Sequence, residues 1–213
     1  MIVLTGGSEI SKELIHSFSH PRTRWAGIDR GTVNLLNEGI TPEAAFGDFD
    51  SVTQQEWNLI EKTVNRIDRA NPEKNMTDME MALEWALDQQ EDIVMIGVTG
   101  GRLDHFFGNI QLLLHDKVRK YQKSVKIMDD QNLISIHDPG EILIDNDHAY
   151  RYISVIPFSA SIEGLTLIGV KYPLKDHRAV YGSTLTISNE IIEDHASISF
   201  QSGILMIVRS KDQ

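Results

Sequence analysis

Apolar and polar positions along the chain follow two different rhythms. Up to about residue 129, short apolar runs alternate with stretches of helical period. Six of these segments, at 2–5, 24–28, 44–46, 64–67, 93–98 and 125–128, read as strands. Between them Met79, Leu83, Ala86 and Leu87 share one helical face, and Phe107, Ile110, Leu114, Val118 and Tyr121 share another. Thr53 with Glu56 and Thr77 with Glu80 have the spacing of capping boxes that open helices. Strands that alternate with helices require parallel crossovers, so residues 1–129 are expected to form an α/β domain: an open, mostly parallel six-stranded sheet with helices on both faces.

From residue 130 the helical period disappears. Short β-rich segments follow at 133–136, 141–144, 150–156, 165–170, 184–188, 196–200 and 204–209, broken by turn chemistry such as Asp138-Pro139-Gly140 and Tyr172-Pro173. That spacing predicts an all-β sandwich or barrel over 130–213, with the boundary near Asp129-Asp130-Gln131-Asn132.

Composition narrows the function classes. The chain has 213 residues, 41% apolar and 24% charged, with a net charge of −11. Its sequence pI is about 5.1. Acidic residues are spread along the chain and no basic patch stands out, which argues against nucleic acid as a partner. With no cysteine there is no disulfide framework, thiolate nucleophile or Cys-ligated metal, and a cytoplasmic location is expected. No signal-peptide pattern and no membrane-length apolar run is present, so no membrane partner is expected.

In an open parallel sheet, ligands bind beyond the carboxyl ends of the strands. That rule selects four glycine-containing loops: Gly6-Gly7-Ser8, Asp29-Arg30-Gly31, Gly47-Asp48-Phe49-Asp50-Ser51 and Thr99-Gly100-Gly101-Arg102-Leu103-Asp104. Asp48 and Asp50, two residues apart, can face one hard cation such as Mg²⁺, or they can shape and solvate a turn. Arg102 and Asp104 pair a phosphate-binding fork with a carboxylate, or form an internal salt bridge and helix cap. Thr77 and Asp78 open a helix, with Lys74 just upstream within reach of a phosphate. Standard phosphate-loop, dinucleotide, nucleophile-elbow and zinc-protease motifs are absent from the sequence. These residues describe an acidic α/β domain suited to a metal-bound phosphoanhydride, joined to a β domain.

Five segments occur in a telling order: Gly27-Ile28-Asp29-Arg30-Gly31, Ala45-Phe46-Gly47-Asp48-Phe49-Asp50-Ser51, Lys74-Asn75-Met76-Thr77-Asp78-Met79-Glu80, Gly97-Val98-Thr99-Gly100-Gly101-Arg102-Leu103-Asp104-His105 and Gly182-Ser183-Thr184-Leu185-Thr186-Ile187-Ser188-Asn189. Together they resemble the bacterial thiamine pyrophosphokinases over nearly the whole chain. The resemblance implies an N-terminal α/β domain for ATP and Mg²⁺, a C-terminal β-sandwich, and a homodimer with thiamine held near the subunit interface. It implies pyrophosphoryl transfer from ATP to the thiamine hydroxyl, with AMP as co-product. By the same resemblance Asp48, Asp50, Asp78, Arg102 and Asp104 are catalytic, with Asp48, Asp50 and Asp104 toward the metal. Asp29, Gly31, Ser51, Lys74, Thr77 and Arg102 fall on the ATP side, and Ser188 and Asn189 on the thiamine side. Tyr172 is an aromatic that could stack on a thiamine ring or simply pack at its turn. The family's usual Lys-Asp-Gln-Thr-Asp reads Lys74-Asn75-Met76-Thr77-Asp78 here, and its Asp-Gly-Gly reads Asp29-Arg30-Gly31.

Overall fold

The first apolar run becomes β1 (Ile2–Thr5), and all four of its residues are buried because strands flank it on both sides. A computed structural model describes residues 1–69 and 76–212, and the chain divides into two units, Met1–Asp130 and Gln131–Gln213. In the first unit β1 is followed by α1 (Lys12–Ser17), β2 (Arg24–Ile28), α2 (Arg30–Asn37), β3 (Ala44–Gly47), α3 (Gln54–Thr63) and β4 (Arg66–Arg69). Then come α4 (Asp78–Leu87), β5 (Ile93–Ile96), α5 (Leu103–Leu112), α6 (Asp116–Arg119) and β6 (Val125–Met128). The strands lie in the order β6-β5-β1-β2-β3-β4, and each neighbouring pair is parallel.

Successive side chains of a strand face opposite sides of its sheet, and β3 shows what that does here. Ala45 packs with Val33 of α2 and Ile60 of α3. Its neighbour Phe46 meets Trp85 of α4 with ring centroids 5.7 Å apart. Helices therefore cover both faces, as expected. The capping chemistry is as expected on α3, where Thr53 and Glu56 form a full capping box; on α4 one half of the expected box is present, Thr77 Oγ1 accepting from the Glu80 N–H at 3.2 Å.

Three boundaries differ from the periodicity, each for a local reason. The fourth strand begins at Arg66 rather than at residue 64, because Val64 closes α3 by donating its N–H to the Ile60 carbonyl and buries its side chain beside that helix. β5 stops at Ile96, and the Val98 carbonyl is taken by the Asn109 side chain at 3.0 Å instead of by a strand. The face drawn from Phe107 to Tyr121 is not one helix: α5 ends at Leu112, His115 caps α6 by accepting from the Lys117 N–H, and Phe107 is 60% exposed.

The second unit comprises β7 (Asn132–His137), β8 (Gly140–Asp145), β9 (Tyr152–Pro157), β10 (Ser161–Ile168), β11 (Leu174–Val180), β12 (Asn189–Glu190), β13 (His195–Phe200) and β14 (Leu205–Ser210). The antiparallel set β12-β9-β14-β7 faces a second, β11-β10-β13-β8. Ile153, Val155, Leu205 and Ile207 from the first set and Ile162, Leu165, Ile198 and Phe200 from the second share one buried cluster, which makes the unit a sandwich. β11 carries Lys175, Asp176, His177 and Arg178 and shows no alternation in the sequence; it forms because the edge of β10 supplies its partners. Residues 184–188, expected to be a strand, form a turn. Thr186 is the buried anchor there, with its hydroxyl donating to the Val155 carbonyl, while Leu185 and Ile187 are exposed. Among the described residues no helix is long and apolar enough to cross a membrane.

Gly31 allows α2 to dock on β1. A Cβ built at that position would lie 1.9 Å from the Thr5 carbonyl oxygen and 2.6 Å from that of Gly6. Gly31→Ala is accordingly expected to cost about 3 kcal/mol or more of folding stability. Urea denaturation checks this, and a midpoint equal to that of the parent would refute the close docking.

Candidate active site

The chain runs outward from β1 through β2, β3 and β4, then returns to place β5 on the other side of β1. Strand order reverses there, which makes the carboxyl ends of β1 and β5 a topological switch point and the natural ligand crevice. The candidate loops all follow the carboxyl ends of strands at this same edge of the sheet. Ser8 Oγ donates to the Gly100 carbonyl at 2.9 Å and ties the loop after β1 to the loop after β5.

At the end of β2, Asp29 takes φ +46°, an unusual conformation for a non-glycine residue, and so turns its carboxylate toward the loop after β3. Asp29 Oδ1 accepts from the Phe49 N–H at 3.1 Å. Gly47 makes room for this: at its φ of +140°, a Cβ would lie 1.9 Å from Asp29 Oδ1. Phe49, itself at φ +60°, inserts its ring beside Trp57 with centroids 5.0 Å apart. With Phe49 turned inward, the flanking Asp48 and Asp50 are exposed, and Asp48 Oδ1 accepts from the Asp50 N–H at 3.0 Å. The turn-shaping role and an outward carboxylate pair thus coexist in one loop.

Asp78, in the first turn of α4, completes a group of four carboxylates. The Asp29 carboxyl is pushed up to about 6, chiefly by burial, with Asp78, Asp48 and Asp50 adding repulsion against the relief of the Phe49 N–H. Asp78 is raised as well, by burial first and then by Asp48, while a side-chain hydrogen bond with Asp29 works the other way. Among the described residues no three His, Asp or Glu side chains are placed to hold a metal ion by themselves. An oxygen-rich rim that is crowded with negative charge but not closed into a cage suits Mg²⁺, which takes few protein ligands and completes its shell with water and phosphate.

Arg102 grips Asp104 with its guanidinium, Nη2 to Oδ2 at 2.5 Å and Nε to Oδ1 at 3.1 Å. That hydrogen bond is the main reason the Asp104 carboxyl is held down at about 2. Both side chains are exposed at the start of α5. Ser51 is exposed, and its carbonyl accepts from Arg30 Nη1 at 3.3 Å. Gly31 is buried in the first turn of α2. Lys74 and Asn75 lie outside the described residues, and Met76 beside them is half-buried.

In the β unit, Ser188 sits at φ +55° with its N–H donated to Ser154 Oγ at 2.9 Å, and its side chain is exposed. Asn189 is buried, and its amide clasps the Tyr172 backbone: Oδ1 accepts from the Tyr172 N–H at 3.0 Å, and Nδ2 donates to the Tyr172 carbonyl at 2.9 Å. Tyr172 itself is 61% exposed. Two contributors escaped sequence reading. Phe49 stands in the sequence as an apolar residue between two aspartates, and Arg30 as a departure from the family's Asp-Gly-Gly.

Two family models fit the chain. The catalytic domain of thiamin pyrophosphokinase matches residues 16–128, more than half of it, and the vitamin B1 binding domain of the same enzyme matches residues 141–205. The chain belongs to the thiamin pyrophosphokinase family. It is 47% identical to the thiamine pyrophosphokinase of Bacillus subtilis, over 99% of this chain and 98% of that relative. A crystal structure of the Bacillus subtilis thiamine pyrophosphokinase superposes with a TM-score of 0.92 at 45% identity, covering 100% of this chain and 99% of that one. A thiamin pyrophosphokinase from Candida albicans, at 16% identity and a TM-score of 0.83, shares the fold over 99% of this chain and 88% of its own.

The raised Asp29 carboxyl predicts a pH-dependent stability. Its folded-state value of about 6 lies above the ordinary 3.8, so protonation favours the fold; that contribution is complete below 3.8 and lost as pH rises through about 6. Asp29→Asn keeps the oxygen that accepts from Phe49 and removes the charge. In chelator, this variant should melt a few degrees above the parent at pH above about 7, and the gap should close as pH falls toward about 4. Thermal unfolding across pH is the measurement; a gap that widens on acidification would overturn the assignment.

Proposed function

We propose that the protein transfers the pyrophosphoryl group of ATP to the hydroxyl of thiamine, releasing thiamine diphosphate and AMP. The observation that carries the reading is the convergence of Asp29, Asp48, Asp50 and Asp78 on one rim, in a chain that belongs to the thiamin pyrophosphokinase family. The hydroxyl oxygen of thiamine attacks the β-phosphorus, the bond from that phosphorus to the oxygen bridging to the α-phosphate breaks, and AMP leaves with the electron pair. The proton of the attacking hydroxyl is released to solvent water, which balances the step. Since negative charge is redistributed over three phosphates, catalysis consists mainly of positioning and charge stabilisation.

Asp48, Asp50 and Asp104 are the residues that would hold Mg²⁺. When bound, this ion supplies positive charge against the phosphates. Asp29, Gly31, Ser51 and Thr77 would form the ATP side with Lys74, and Asp78 would orient the reacting groups from the first turn of α4. Arg102 is exposed, so its fork can exchange the Asp104 carboxylate for phosphate oxygens without a desolvation barrier. With ATP, Mg²⁺ and thiamine, AMP should form in step with thiamine diphosphate; ADP as the stoichiometric product would refute pyrophosphoryl transfer. Asp48→Asn, Asp50→Asn and Arg102→Ala should each lower kcat by about 10² to 10³, since each removes one preorganised charge. Near-normal turnover in all three would leave these side chains with structural roles alone.

The thiamine side is proposed to lie in the β unit and the working form to be a homodimer. A thiazolium cation and a flat aminopyrimidine call for a few fixed polar groups on an apolar wall. Ser188 offers its exposed hydroxyl, while Asn189 holds the Tyr172 turn so that the ring can stack. Tyr172, Tyr181, Leu185, Ile187 and Ile192 are all exposed in this unit, which supports burial against a second copy. Ser188→Ala and Asn189→Ala should raise KM for thiamine far more than KM for ATP in steady-state kinetics. A fully active monomer in sedimentation would overturn the dimer, and an ATP-selective defect in both variants would overturn the site.

A further inference from the structure

We infer that Arg30 is a positioning residue: with Asp29 it clamps the acidic loop 47–51 at two points and so sets the direction of Asp50. The inference rests on reading that loop as the acidic centre of pyrophosphoryl transfer. Arg30 is the first residue of α2, at the positive end of the helix dipole, and the first turn of that helix contains no acidic residue. A cation is disfavoured there unless something elsewhere in the fold holds it. Arg30 Nη1 and Nη2 reach Glu56 Oε2 and Oε1, both at 3.2 Å, and Nη1 also donates to the Ser51 carbonyl at 3.3 Å.

Glu56 is itself immobilised. Its Oε2 accepts from the Thr53 N–H at 2.8 Å and from Thr53 Oγ1 at 3.0 Å in the capping box of α3. The guanidinium is therefore braced against a fixed carboxylate at the start of one helix while it holds the last carbonyl of the loop. Its neighbour Asp29 holds the Phe49 N–H of the same loop. Asp50 lies between the two grips, exposed, with its N–H donated to Asp48 Oδ1. Two consecutive residues thus fix the loop on either side of the carboxylate that faces outward. Phe49 is additionally anchored by its buried ring, so the grip on Ser51 is the one that Arg30 alone adds.

Arg30→Met keeps most of the stem and removes the fork. In the ligand-free full chain, amide hydrogen exchange at Asp50 and Val52 should rise about tenfold in this variant, with the Phe49 amide still protected by Asp29. Unchanged exchange at Asp50 and Val52 would overturn the positioning role. In kinetics, Arg30→Met and Glu56→Gln should each raise the Mg²⁺ concentration for half-maximal rate by about threefold to tenfold and leave KM for thiamine unmoved. The double variant should be no worse than either single one, and Arg30→Lys should recover part of the loss. A defect in Arg30→Met that Glu56→Gln does not share would overturn positioning in favour of direct ligand contact. Asp50→Asn, measured alongside, judges the loop itself: normal turnover there removes the catalytic reading, while the exchange data still decide whether Arg30 holds the loop.

Discussion

The rim depends on how closely the Asp29 carboxylate approaches the backbone at Gly47. A side chain on residue 47 would occupy the position of Asp29 Oδ1, and without that oxygen the Phe49 N–H would lose its acceptor. The contact also explains the backbone geometry on both sides. Asp29 and Phe49 each adopt positive φ, a conformation that costs free energy in a non-glycine residue and persists only where its surroundings over-determine it. Here the burial of the Phe49 ring against Trp57 and the hydrogen bond to Asp29 offset that cost together. The outward direction of Asp48 and Asp50 follows from the inward direction of the residue between them.

The same arrangement creates an electrostatic debt that the protein alone does not settle. Burial and three neighbouring carboxylates push Asp29 up to about 6, and Asp78 shifts in the same direction. A purely structural loop would gain stability by replacing one of these aspartates with asparagine, since the amide keeps the acceptor oxygen and drops the repulsion. Asp29 and Asp78 are raised by burial and by their acidic neighbours, so a positive charge placed on this rim would relieve both. Arg102 and Asp104 contrast with them: their charges are already balanced, and their exposure makes the pair weak and exchangeable.

Legibility in the sequence tracked the physics of each element. Buried parallel strands such as Ile2–Thr5 and Arg24–Ile28 are mostly apolar along their length, because both faces are covered, and these ends were read directly. The capping box on α3 was equally plain, since it depends on two residues three apart. β11 was hidden because an edge strand with a solvated face carries charged residues, and 184–188 misled because Thr, Leu and Ile favour strands whether or not a ladder is available to them. At the site, the identities of Asp48, Asp50, Asp78, Arg102 and Asp104 stood out, but their relations did not. The Arg102–Asp104 fork spans two residues and was foreseeable as one of two readings. The link from Asp29 to Phe49 spans 20 residues, and the link from Arg30 to Glu56 spans 26; both arise only when the crossover brings β2 and β3 side by side.

The β unit achieves precision by the opposite route. Asn189 is buried, its amide oxygen accepting from the Tyr172 and Glu190 N–H groups and its amide nitrogen donating to the Tyr172 carbonyl. A buried amide bonded through both its oxygen and its nitrogen stabilises one backbone geometry, and here that geometry carries an exposed aromatic ring. The two ends of the chain therefore fail differently when altered. Neutralising a rim aspartate removes charge and relaxes the fold, whereas truncating Asn189 leaves the Tyr172 N–H and carbonyl unpaired and frees the ring they hold. Crowding carboxylates on one rim and fixing an exposed ring through a buried amide are separate physical problems. The boundary between the α/β unit and the sandwich falls between them.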